Sequence, residues 1–324
     1  MSRKTAYNLR KNHQMKITKW LCVVGVTLIL GIVAIQQVNN SKFLNNNWRT
    51  NIVFHTEPTT VISFSKQASD RTIIFTLPSN VIVNVPFGYQ QYQLQAVWKL
   101  AQMEKKYDIY SQTIEDLFAT YVSGWVGQED LPDINSQSED IFKQLSAHFS
   151  LIKLLTSPNI SNLSLLDRFL MWWELIQVQN KSDLVDLTQP TNLIETQTLP
   201  DTSIAKSVNH INWFKLLTEK LVDTQIRQEG LSIEVRNSTL VRNVGQKFAQ
   251  ILTNSGAKVI SLNNISKNIE KCEIIYNPKL SKSKIIKWLT SEFGCAVNLN
   301  NETNGMDILI ILGKYYGDRW VGSE

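Results

Sequence analysis

The feature that most constrains this chain is a run of nineteen consecutive uncharged residues, Trp20 to Val38. A helix rising 1.5 Å per residue needs about 20 such residues to cross roughly 30 Å of hydrocarbon. Its core is Trp20-Leu-Cys-Val-Val-Gly-Val-Thr-Leu-Ile-Leu-Gly-Ile-Val-Ala-Ile35. Ahead of it stand Arg3, Lys4, Arg10, Lys11, Lys16 and Lys19 with no acid, a local charge of +6. Basic flanks stay on the cytoplasmic side. A cleaved signal peptide and a buried soluble helix are the alternatives. No small-x-small cleavage pattern follows the run, and Cys22 lies at its start, where a lipoprotein cleavage site is misplaced. The pattern predicts a cytoplasmic tail (1–19), a membrane-spanning helix (20–38), a polar spacer (39–52) and an extracytoplasmic ectodomain, hence a single-pass cell-membrane protein.

The whole-chain charge of +5 then changes meaning. Removing the six tail cations from 33 leaves 27 basic against 28 acidic side chains, a near-neutral ectodomain. No nucleic-acid partner is expected, since the tail is too short to fold as a DNA-binding domain, and a regulator ranks last. Any anionic ligand must meet a local site.

The ectodomain reads as α/β. Residues 59–64 and 71–77 are β-branched runs split by a polar hairpin, and Val81–Val85 is a third. Leu94, Val97, Trp98 and Ala101 fall at helical spacing, as do Ile114, Leu117, Phe118 and Tyr121. Ser164 with Asp167 opens a further helix as a capping box, with Leu166, Phe169, Leu170 and Trp173 as its expected apolar face. Residues 180–200 read as mostly loop with one short strand, and Ile211–Val222 as helix. From Leu231 the texture sharpens to β-α-β-β-α-β-β. A three-layer-like region (53–228) is thus expected before a small βαββαββ domain (229–318), with a tail (319–324).

Chemistry-bearing motifs are sparse. His55, His148 and His210 are far apart, and no metal, nucleophile-elbow or P-loop spacing occurs. No cofactor or metal site is expected. Asn237-Ser238-Thr239 lies between strand and helix. It reads as a turn with Ser238 or Thr239 as N-cap, or as an anion-binding helix start. Of Trp172-Trp173, the second is expected in the core. Cys272 and Cys295 each precede a strand, and the two strands flank one helix. Parallel neighbours would bring the sulfurs together, so a disulfide and two buried free thiols both stand.

The last domain resembles the LytR C-terminal domain of bacterial cell-envelope proteins. The resemblance rests on Ile233-Glu-Val-Arg-Asn-Ser-Thr239, on Phe248, Leu252 and Gly256, on Ile274-Ile-Tyr-Asn-Pro278, and on Asp307-Ile-Leu-Ile-Ile-Leu-Gly-Lys-Tyr-Tyr316. Ser238 replaces that family's usual Gly, and Tyr315 its usual Asp. Upstream, Thr76-Leu-Pro-Ser-Asn80 and Val83-Asn-Val-Pro-Phe-Gly88 are similar to segments of the LytR–CpsA–Psr catalytic domain. That resemblance implies transfer of polyprenyl-pyrophosphate-linked glycopolymer to peptidoglycan, with Arg and Asp holding pyrophosphate and Mg²⁺. Here Ser79 and Asn80 occupy those positions, which removes the cation and the hard-metal carboxylate. The expectation is therefore a degenerate, non-catalytic relative. It would bind or scaffold at the cell wall, toward peptidoglycan, an envelope glycopolymer, a lipid-linked precursor or another envelope protein. The alternative is a divergent phosphotransferase that recruits Asp70, Arg71 and Arg168 and requires Mg²⁺.

Overall fold

The computed structural model describes residues 20, 24–25, 27–28, 31–39, 41–45, 48–67, 70–135, 141–157, 160–178, 182–189, 191–198, 204–299 and 305–322. Much of the apolar run lies outside them. Its described positions are helical, and among the described residues no helix is long and apolar enough to cross a membrane.

The first region contains α1 (Lys42–Asn45), β1 (Thr50–Phe54), β2 (Thr59–Phe64), β3 (Thr72–Leu77), β4 (Ile82–Val85), β5 (Gln90–Gln93), α2 (Leu94–Met103), α3 (Asp108–Phe118) and β6 (Gly124–Val126). It continues through α4 (Ile141–His148), α5 (Leu151–Thr156), α6 (Leu165–Gln177), β7 (Ser182–Asp186), β8 (Ile194–Thr198), β9 (Ile204–Val208), α7 (His210–Lys220) and α8 (Thr224–Glu229). Its main sheet runs β6-β1-β2-β3-β7. β1, β2 and β3 are antiparallel, while β6 joins β1 and β7 joins β3 in parallel.

Every residue of β1, β2 and β3 is buried, because both sheet faces are covered. Val53, Val61, Ile73 and Phe75 point into a core built with α2, α3 and α7. Ile52, Phe54, Ile62 and Ile74 point into a second core with α1, α4, α5 and α6. Two-sided burial is why these strands read as continuous apolar runs without alternation. The expected hairpin is the β2–β3 pair. The run at 81–85 leaves the main sheet and pairs with β5 as a separate ribbon.

The second region is β10 (Ser232–Asn237), α9 (Val244–Asn254), β11 (Lys258–Asn264), β12 (Cys272–Tyr276), α10 (Lys284–Ser291), β13 (Ala296–Leu299), β14 (Ile308–Leu312) and α11 (Lys314–Trp320). Its sheet runs β11-β10-β14-β12-β13, with β12 and β14 antiparallel and the other pairs parallel. α9, α10 and α11 cover one face through Phe248, Leu252, Ile286, Leu289, Tyr316 and Trp320.

Four expectations need correction. α6 begins at Ser164 with the foreseen cap, Ser164 Oγ accepting from Asp167 N–H. Its inward face, however, is Asp167, Arg168, Met171 and Leu175, while Phe169 and Trp173 face solvent and Trp172 is half-buried against the core. Periodicity located the helix but not its orientation, because α6 carries apolar residues nearly all round. Residues 180–200 hold two strands, β7 and β8, where one was expected. The expected tail at 319–324 begins inside α11, where Arg319 and Trp320 are buried. The spacer is not loose: Ser41 Oγ and the Phe43 N–H both donate to Asp167 Oδ1. Asn40, Asn46 and Asn47 lie outside the described residues.

The two regions share a seam. Trp48, Ala119 and Ile226 belong to the second region's core cluster. Arg319 of α11 reaches α3, donating to Glu115 Oε1 at 2.6 Å and Asp116 Oδ1 at 2.5 Å. Trp320 Nε1 donates to the same Asp116 oxygen at 2.9 Å. Burial opposes the Arg319 charge, and the two carboxylates more than offset it, holding its pKa up.

Candidate functional site

A cleft of about 760 Å³ opens where the two regions meet, lined by Phe87, Tyr89, Lys105, Lys106, Tyr107, Asp108, Ile109, Gln112, Trp125 and Tyr315. Its volume lies within the ~300–1,000 Å³ usual for small-ligand sites. Five of the ten side chains are aromatic.

Each wall has a local cause. Phe87 follows Pro86 in the turn between β4 and β5, and its N–H donates to the Arg319 carbonyl at 2.8 Å. The turn is thereby tied to the C-terminal end of α11. Lys105 and Lys106 follow the end of α2, with Lys105 N–H donating to the Gln102 carbonyl and Lys106 N–H to the Ala101 carbonyl. Phe87 and Lys105 have φ of 62° and 54°. This left-handed region costs a residue with a Cβ roughly 1–2 kcal/mol. Outliers of that kind collect at functional sites.

Trp125 comes from β6, its backbone N–H donating to Asn162 Oδ1 at 2.9 Å. Its ring lies 5.0 Å from Tyr107, centroid to centroid, and 5.4 Å from Trp98. Trp125 is buried, and its indole N–H has no hydrogen-bond partner among the described residues. Buried donors are normally satisfied. Tyr315 faces Phe87 at 6.3 Å, edge to face, and its hydroxyl accepts from Gln112 Nε2 at 3.0 Å. Burial pushes the Tyr315 phenol up, and desolvation with Glu104 pushes up that of Tyr89. Both therefore remain protonated donors at neutral pH.

Behind the wall, His55 stacks on Trp98 at 4.3 Å and meets Tyr110 edge-on at 5.6 Å. Burial drives its pKa down to about 4, so the ring is neutral at neutral pH. Gly127 is required beside it, since a Cβ there would lie 2.3 Å from Trp98 Cη2.

No protein-family model matches the sequence, and no curated protein matches it. Among solved structures, the Lin1025 protein of Listeria innocua aligns at a TM-score of 0.36 and 10% identity, over 54% of this chain and 99% of its own. A transcriptional regulator of Enterococcus faecalis aligns at 0.38 and 7%, over 65% and 88%. B. subtilis TagU aligns at 0.33 and 8%, over 54% and 97%. None of these three reaches a TM-score of 0.5.

The residues singled out from sequence fall elsewhere. α9 starts at Val244 and not beside Thr239, so neither Ser238 nor Thr239 is its N-cap. The 237–239 turn spends its polar groups internally. Thr239 N–H and hydroxyl donate to Asn237 Oδ1, Asn237 Nδ2 donates to the Val241 carbonyl, and Ser238 N–H and Oγ donate to the Leu312 carbonyl. The Ser238 donors thus hold β10 to β14, and those of Asn237 and Thr239 close the turn.

Cys272 and Cys295 do come together. β12 and β13 are parallel neighbours, the sulfurs are 2.00 Å apart and the Cα atoms 4.7 Å apart. Ser79 and Asn80 sit in the turn after β3, where the Ser79 carbonyl accepts from Gln95 N–H, and they line no wall of the cleft. Asp70, Arg71 and Arg168 have separate partners: Thr224, Asp183 and the carbonyls of Leu154, Ser157, Ser161 and Leu163. Among the described residues no group of three or more His, Cys, Asp or Glu is placed to hold a metal.

The cleft itself was missed. Two of its residues were in view: Phe87 within the Val83–Gly88 motif and Tyr315 at the position that departs from the family's Asp. Their aromatic character at those places was the available signal.

Proposed function

We propose that the protein is a membrane-anchored envelope protein that binds, without turnover, a segment of anionic glycopolymer in the aromatic cleft. The anchor is the 20–38 helix, with the N-terminus inside. The observation that carries the reading is the wall of five aromatic side chains with Lys105 and Lys106 beside it. Aromatic faces pack against the C–H faces of sugar rings, and tyrosine and tryptophan add donors at the ring edges. The unpaired Trp125 N–H and the protonated phenols suit sugar hydroxyls, and the two exposed lysines suit phosphate or carboxylate on the polymer. The separate engagements of Asp70, Arg71 and Arg168 favour binding over phosphotransfer.

The test is titration of the full chain, in lipid nanodiscs, with peptidoglycan fragments, anionic glycopolymer and polyprenyl pyrophosphate, each with and without Mg²⁺. Glycopolymer should bind saturably without Mg²⁺. Tyr107→Ala or Tyr315→Ala should weaken it roughly tenfold, about 1.4 kcal/mol. Turnover of lipid pyrophosphate with Mg²⁺ would establish the phosphotransferase, and failure to bind any glycan would remove the cleft reading.

A further inference from the structure

α6 carries an apolar stripe that joins no core cluster among the described residues. Leu165, Phe169, Trp173 and Ile176 are 40–52% exposed. At roughly 100° per residue they fall within about 80° of arc, a single line along the helix. Four large apolar side chains in register on the solvent side of one helix form a patch, whereas scattered exposed ones need no explanation.

The chain's own path supplies an occupant. Ser41 is buried and bonded to Asp167 in the first turn of α6, and its N–H donates back to the Val38 carbonyl at 3.3 Å. Phe43 then enters the core against Phe64 at 5.7 Å. Three residues from Val38 to Ser41 span at most ~10 Å. The stripe's first residue lies across one helix diameter from Asp167, roughly 10–12 Å more. The end of α6 is therefore held within roughly 20 Å of the last apolar residue of the 20–38 run, with no slack between. α1, packed on α6, adds Leu44, itself 47% exposed.

We infer that the α6 stripe lies on the outer leaflet of the bilayer that the 20–38 helix enters, Phe169 and Trp173 seated at the level of the headgroups. This rests on the anchor reading above. Trp and Phe with aliphatic neighbours on one helix face are the composition of interfacial contacts. Such a contact fixes the ectodomain's tilt, converting a single-point tether into a two-point one.

The full chain is reconstituted in vesicles of phosphatidylethanolamine and phosphatidylglycerol brominated high on the acyl chains. Tryptophan quenching is compared between the native chain and Trp173→Phe, with Phe169→Glu/Trp173→Glu as a second variant; alkaline carbonate extraction reports the anchor separately. The expected result is resistance to extraction in all three and loss of a quenchable emission component in both variants. Extraction resistance with quenching identical in native chain and Trp173→Phe overturns the inference and leaves the anchor standing. Extraction of the native chain with quenching still dependent on Trp173 overturns the anchor and leaves the lipid contact. Extraction without that dependence overturns both. Circular dichroism confirms that these solvent-facing substitutions leave the fold unchanged.

Discussion

The two sheets have five strands each, yet they solve burial differently. In the first, helices cover both faces and the three central strands are wholly buried. In the second, helices cover one face and the edge strands β11 and β13 are mostly exposed. On the open face the central residues Leu309 and Ile311 are nevertheless buried. They share that face with Glu234 and Glu273, their register partners across the sheet. Glu234 accepts two hydrogen bonds from Arg236 and one from Asn263, and Glu273 accepts from Lys267 and Asn298. Salt-bridged side chains there take the place of a helical layer. The cleft takes Trp125 from β6, the edge strand of the two-sided sheet, and lies where loops of the first region meet α11 of the second.

That comparison is broken most directly at the seam. Arg319→Met should destabilise the whole chain by about 3–5 kcal/mol, because Glu115 is left buried without its partner. If the seam makes the regions one cooperative unit, denaturant unfolding of the native chain is a single transition and the variant shifts its midpoint. Two separated transitions in the native chain would show that the sheets unfold independently.

Next in size is the bond between β12 and β13. Closing a loop over a separation of 23 residues contributes roughly 3 kcal/mol by unfolded-state entropy. Cys272→Ser/Cys295→Ser should lose about that amount. Chemical reduction of the native chain should reproduce the loss, and a native chain insensitive to reductant would mean that the thiols are free.

The one-sided sheet was the more legible from sequence, and for a physical reason. Exposure on one face forces alternation in β10, so Leu231–Arg236 announces both its state and its inward side, Ile233 and Val235. In the two-sided sheet β2 and β3 stood out as β-branched runs, but β1, the strand Thr50–Phe54, was absorbed into a supposed spacer. The orientation of α6 was illegible because Phe169 and Trp173 look like core residues; only contacts tell which side is covered. The cleft was illegible because its walls come from sequence positions 87 to 315, which only the fold brings together.

Protonation separates the regions further. His55, in the first, is neutral when folded, with its pKa driven by burial from 6.5 to about 4. An unfolded chain takes up that proton below about pH 6.5. Stability should therefore be complete above pH 6.5 and fall as pH drops toward 4, by up to about 3 kcal/mol. His55→Phe, which keeps a ring against Trp98, should flatten the stability–pH curve in that window. An unchanged slope would show that His55 is not the proton acceptor.

The smallest effect tests the open face of the second sheet. The hydrogen bonds from Arg236, ahead of the opposing effect of burial, hold the Glu234 carboxyl below its ordinary value. A depressed carboxylate contributes stability that is present above the unfolded pKa of about 4.3 and lost as pH falls through the folded one. The Arg236 side chain is about one-fifth exposed, and water screens the pair, so Glu234→Gln should cost only about 1 kcal/mol at pH 7. That deficit should shrink below about pH 4.3, once the native carboxylate is itself protonated. The two sheets thus titrate in adjacent windows, the first from pH 6.5 toward 4 through His55 and the second lower, through its carboxylate network. Unfolding followed at a series of pH values in His55→Phe, Glu234→Gln and the double variant resolves them. Additive effects in separate windows support two electrostatically independent sheets, and a Glu234→Gln deficit that changes when His55 is also replaced would show that the two are coupled.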